Sequence, residues 1–110
     1  MNRKIYNKLV RNRIPEIIRS NKGIPTTREL ADDEFLVELK AKLQEEALEV
    51  TEAASPKELL NELSDVLEIV EAIAEHSKLS MTEVKREQEH KKKECGGFSQ
   101  KIYLEHVDEA

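Results

Sequence analysis

Two long stretches with helical periodicity, separated by little more than Ser55-Pro56, leave the centre of this chain one simple arrangement. A break that short makes consecutive helices antiparallel neighbours. Ser55-Pro56-Lys57-Glu58 supplies a Ser cap, Pro at the first helical position and Glu at the third, which opens a helix running to about Ser77. Ahead of it, Asp32 and Asp33 are placed to cap a helix over about Asp33 to Ala53.

Each helix carries an apolar stripe. Leu36, Leu39, Leu43, Ala47 and Val50 form one; Leu59, Leu63, Val66, Val70 and Ile73 form the other, widened by Leu60, Leu67 and Ala74. Each also carries an acidic pair three residues apart, Glu46 with Glu49 and Glu62 with Asp65, so each pair shares a face. On a wheel of ~100° per residue, Glu46 and Glu49 lie roughly 65° and 125° from their stripe centre. Glu62 and Asp65 lie roughly 90° and 150° from theirs, also on the lagging side. Antiparallel packing, stripe to stripe, brings both lagging sides to one edge. The two pairs are also almost equally far from Ser55-Pro56, so the four carboxylates are expected to converge.

Carboxylates gathered at neutral pH repel one another, and a bound cation removes that cost. An all-oxygen set without His or Cys suits Mg2+, with Mn2+ also admissible. His76, His90 and His106 share no ligand spacing with the acids and are read as surface residues. Glu45 points away from the intrachain stripe, towards another subunit or a second metal.

The flanks are different in character. Residues 1–25 form a basic arm in which Lys8, Arg11 and Arg13 are candidates to reach the acidic edge and hold phosphates. Within it, Pro15 favours an extended Ile14 and starts a short helix from Glu16 to Ser20. Ser80-Met81-Thr82-Glu83 is a second capping box, for a helix to about Glu94 that Gly96-Gly97 ends. Residues 95–110 read as an extended tail. The expected architecture is all-α: one domain over 1–110, with a helical core over 33–94 built on an antiparallel hairpin and a further C-terminal helix.

Charged residues make up 37% of the 110 and aromatics 4%, too polar a mixture for a large private core. The hairpin is therefore expected to be completed into a bundle by further copies. An overall charge of -5 disfavours general binding to duplex nucleic acid. No apolar run approaches the ~20 residues that a membrane span needs, and the basic N-terminus lacks the apolar core of a signal peptide. With a single Cys95, no internal disulfide framework is expected. A soluble cytoplasmic protein is the expectation.

The pattern Glu45-Glu46-x-x-Glu49, twelve residues, then Glu62-x-x-Asp65 resembles the MazG-like all-α nucleoside triphosphate pyrophosphohydrolases, a superfamily that includes phosphoribosyl-ATP pyrophosphohydrolase. The ends resemble one branch of it, through Lys8-Leu9-Val10-Arg11-Asn12-Arg13-Ile14-Pro15-Glu16-Ile17-Ile18 and Gly96-Gly97-Phe98-Ser99-Gln100-Lys101-Ile102-Tyr103-Leu104-Glu105. Asn12 stands where that branch usually has Asp. The resemblance implies cleavage of a nucleoside triphosphate between its α and β phosphates. Metal would sit on Glu46, Glu49, Glu62 and Asp65, with Glu45 activating water or holding a second metal. A homodimer or homotetramer is also implied. Non-standard nucleotides and phosphoribosyl-ATP are the competing substrates. A helical adaptor whose acids are merely solvated is the reading from another class.

Overall fold

The computed structural model describes residues 2–109 and contains four helices: α1 (Ile14–Ser20), α2 (Asp32–Glu52), α3 (Pro56–His76) and α4 (Met81–Cys95). No strand occurs among the described residues, so the chain is all-α. Helices α2 and α3 form the antiparallel hairpin, and α4 touches α3 alone. The Cα radius of gyration is 18.9 Å, well above the roughly 13 Å of a compact chain this long.

The helix ends follow from local chemistry. Ser55 Oγ accepts from Glu58 N–H at 3.2 Å, while Glu58 reaches back to Ala54 N–H at 2.9 Å. Ser80 and Glu83 make the complete reciprocal box, at 3.1 and 2.7 Å. Helix α2 is capped differently from expectation. Its N-cap is Ala31, which has no acceptor, and Asp32 and Asp33 lie inside the first turn, where their charge favours the helix N-terminus. Ile14 is also not extended: it is the first residue of α1 and Pro15 the second, where its missing N–H costs nothing.

Two helices stop without glycine in the left-handed position. Lys22 and Lys78 occupy it, at φ 67° and 61°, and in both cases the following N–H bonds back to a helix carbonyl (Gly23 to Ile18, 2.9 Å; Leu79 to Ala74, 2.8 Å). A Cβ on Gly23 would meet Ile18 Cγ2 at 2.6 Å, so glycine is required there for close approach. Gly96 ends α4 at φ 85°.

The core is thin. Among the described residues only Leu39, Ile69 and Ala74 are buried apolar side chains. The leucines assigned to the α3 stripe mostly point outwards: Leu59, Leu60, Leu63 and Leu67 are 39–71% exposed. The covered face of α3 runs instead through Glu62, Asp65, Val66, Ile69, Ile73 and His76, of which Glu62, Asp65 and His76 meet Glu46 and Phe35 of α2. Helix α3 is thus rotated from the stripe-to-stripe arrangement. Its apolar arc spans roughly half the wheel, of which one part packs on α2 and the other is left outside. His76, read from the sequence as surface, is half-buried and meets the Phe35 ring edge-on at 5.2 Å.

Candidate metal centre

The rotation places the acids in the seam between the helices rather than at its edge. Glu46 lies at the centre of the inner face of α2, between the turns that carry Leu39 and Val50, and is only 8% exposed. It is the one buried charged residue among those described. Across the seam stand Glu62 and Asp65, and one carboxylate oxygen from each of Glu46, Glu62 and Asp65 lies within 4.8 Å of the others. Glu45, Glu46 and Glu49 make a second such group, sharing Glu46. Glu49 sits on the exposed side of α2, and its carboxylate adjoins that of Glu62. The four carboxylates assigned to metal thus fall in two adjoining groups joined through Glu46, and Glu45 belongs to the group with Glu49.

The cluster is short of hydrogen-bond donors. Glu46 Oε2 and Glu62 Oε2 are both shut off from solvent with no partner. Asn61 donates to Glu62 Oε1 at a long 3.4 Å. Arg11 Nη2 donates to Asp65 Oδ1 at 2.8 Å, so the arm does fold over the acidic seam. Lys8 Nζ stands 4.0 Å from Glu45 Oε1, an ion pair too long for a hydrogen bond. Arg13 takes another direction and pairs with Glu16 in the first turn of α1 at 3.3 Å.

One cation near the cluster went unread in the sequence. Lys42 lies one turn before Glu46, with Nζ 4.0 Å from Glu46 Oε1 and a side chain only 19% exposed. A lysine four residues before a glutamate ordinarily signals a solvated surface pair. Its proximity to Glu46 was visible in the spacing, but its burial was not.

A buried carboxylate oxygen without a donor is costly, and two in contact with further acids cost more. Those orphaned oxygens, in an all-carboxylate set, fit a hard divalent cation. The strain shows in Glu62. Hydrogen bonding of its protonated form to the Glu49 carboxylate raises its pKa above the ordinary carboxylate value, burial adds to this, and the charges of Glu49 and Asp65 push the same way against Asn61.

A pKa raised by folding stabilises the fold below the unfolded value, about 4.5, and that contribution is lost as pH rises through the higher folded value. Metal-free protein should therefore melt at a lower temperature at pH 7 than near pH 4.5. Glu62→Gln should flatten this slope, and Mg2+ at pH 7 should restore the lost stability. Thermal melts across that range, with the variant as control, check it. An equal slope in both proteins would remove Glu62 as its source.

Helices α1 to α3, most of α4, all four seam carboxylates and Arg11 lie within residues 10–92, and that is the span matched by the family described as phosphoribosyl-ATP pyrophosphohydrolase. The chain is also similar to an uncharacterized protein of Mycolicibacterium smegmatis, 51% identical over 45 residues. That match covers 41% of this chain and 46% of the relative, so the chain spans about half of the relative's length. No solved structure matches. No described helix is long and apolar enough to cross a membrane. With the family's match reaching across the hairpin and both acidic pairs, the chain belongs to the phosphoribosyl-ATP pyrophosphohydrolase family, whose enzymes hydrolyse phosphoric anhydride bonds.

Proposed function

We propose that this protein is a Mg2+-dependent nucleotide pyrophosphohydrolase that cleaves a nucleoside triphosphate between its α and β phosphates. The observation that carries the reading is the pair of orphaned oxygens on Glu46 and Glu62, inside a group of carboxylates from two helices. Glu46, Glu49, Glu62 and Asp65 hold the metal. When bound, the ion neutralises phosphate charge and makes water a stronger acid. Mn2+ satisfies the same ligand set.

The chain's own groups do the rest. Arg11, already over the seam, and Lys8 beside Glu45 offer positive charge to the phosphates. Arg13 joins them only by leaving Glu16. Glu45 is exposed at the mouth of the cluster and is placed to accept a proton from water. The water oxygen bonds to the α phosphorus, the α–β bridging bond breaks, and pyrophosphate departs with the bridging oxygen.

Two substrate classes share this chemistry. Non-standard nucleoside triphosphates fit a house-cleaning role in the cytoplasm. Phosphoribosyl-ATP is favoured by the family's own description. The outward leucines of α3 support assembly of a homodimer or homotetramer, in which a second copy completes the bundle.

Incubation with Mg2+ and either a panel of nucleoside triphosphates or phosphoribosyl-ATP, with phosphorus NMR of the products, tests the proposal. Monophosphate plus pyrophosphate is expected. Release of orthophosphate, or no product from either class, would overturn it. A kcat/KM at least ~10-fold higher for one class, about 1.4 kcal/mol in transition-state binding, assigns the substrate.

A further inference from the structure

A cleft of about 200 Å³ opens between the basic arm and α2, on the Glu45 side of the carboxylate cluster. Asn7, Lys8 and Leu9 form one wall; Glu38, Lys42 and Glu45 form the other. We propose that this cleft seats the pyrophosphate portion of the substrate, with Lys42 as its principal cationic contact. The proposal rests on the metal-site reading above, because Glu45 is shared by cleft and cluster.

Three observations converge on it. The cleft is smaller than the 300–1,000 Å³ typical of sites that enclose a whole organic ligand. It also has no aromatic wall on which a base could stack. Of the parts of a nucleotide substrate, the pyrophosphate is the one this size admits.

Lys42 is the second observation. Lysine is rarely withdrawn from water, yet this side chain is four-fifths covered and its ammonium makes no hydrogen bond to Glu46, from which it stands 4.0 Å. At that distance it is a Coulombic neighbour with its donors unspent. A metal on Glu46 would compete for the carboxylate and push the ammonium towards the cleft, where phosphate oxygens accept charge-assisted hydrogen bonds.

The third is the placement of charge. Arg11 stands on the α3 side of the seam, paired with Asp65, while Lys8 and Lys42 stand on the α2 side. The cations bracket the acids. A triphosphate that straddles the metal therefore meets positive charge on both flanks, and the α2 flank has the cavity.

The test uses the full chain, with thermal melts in Mg2+ alone and calorimetric titration of inorganic pyrophosphate in saturating Mg2+. In Lys42→Met the Mg2+-dependent rise in melting temperature should persist, while pyrophosphate affinity falls roughly ten- to hundredfold, the range for a lost charged hydrogen bond. Lys42→Arg should recover most of that affinity. Ala41→Glu, an exposed position lining the same cleft, should weaken pyrophosphate binding without touching Lys42 or the acids.

Unchanged pyrophosphate affinity in both Lys42→Met and Ala41→Glu would overturn the proposal alone. So would loss of the Mg2+ response in Lys42→Met, which would make Lys42 a partner that positions Glu46. A wild-type protein with no Mg2+ response would instead sink the metal-site reading itself.

Discussion

Glu46→Gln should abolish hydrolysis, by on the order of 10³-fold, the upper range for a single group acting directly in a preorganised site. The same substitution should erase the thermal response to Mg2+. Yet the metal-free variant should melt above the wild type, by about 1 kcal/mol at the melting point, because a buried carboxylate with one orphaned oxygen has become a neutral amide. This opposite movement of activity and stability identifies a binding residue. A side chain retained for packing would lose both together.

The reason is its position. Glu46 is shared by both groups of clustered acids, lies deepest in the seam, and leaves one oxygen without a donor. Glu49 on the exposed flank should be less damaging when neutralised, and the contrast between the two variants ranks the ligands. Steady-state assays with metal-titrated melts of both decide it. If Glu46→Gln keeps wild-type activity, the centre of the site lies elsewhere.

The second large effect concerns the outer face of α3. Leu63→Glu should leave the protein a monomer where the proposed assembly would form, raising the dissociation constant at least ~100-fold. Leu59, Leu60, Leu63 and Leu67 form one outward patch, and Leu63 is half exposed. Full burial of a leucine is worth ~1.5 kcal/mol or more, so four of them are a considerable driving force for association. A carboxylate in the middle removes one contribution and must itself be desolvated. Because the patch faces away from α2, the variant should keep its helical content. Light scattering over a concentration series checks the mass and circular dichroism checks the fold. A wild type that stays monomeric at high micromolar concentration would reject the assembly.

The sequence carried the helices well because their ends are written in local chemistry. Ser55, Pro56, Ser80 and Gly96 place the boundaries of α3 and α4 within a residue. The meeting of Glu46 with Glu62 and Asp65 was legible too, since three-residue spacing and equal distance from a short turn are matters of backbone geometry alone. What stayed hidden was rotation. Averaging the broad apolar arc of α3 into one stripe merged the face that packs on α2 with the face left outside. It put Ile69 out of the core and the acids at an edge.

The rule that hides this is sound for ordinary helices: charge goes to water and leucine goes inside. In this hairpin it is inverted over two turns. Glu46 replaces a leucine at the centre of the seam, and Leu63 is turned away from it. No periodicity argument on a single chain distinguishes an acid at the margin of a stripe from one at its middle when the stripe is this wide. His76 escaped for a similar reason, as its cover is a single Phe35 ring from the opposite helix.

Only Ala53, Ala54 and Ser55 lie between α2 and α3, and so short a link acts as a gauge on the gene as well as on the fold. One codon inserted within α2 after Glu49 would carry the upstream acids ~100° around the axis and ~1.5 Å along it. A whole extra turn would mend the angle but misalign the height by ~5.4 Å. Lengthening survives only when both rods grow by a turn between the acids and the bend. Insertions and deletions among functional descendants should therefore accumulate at the two ends of the chain, while the interval from Glu46 to Asp65 keeps its count.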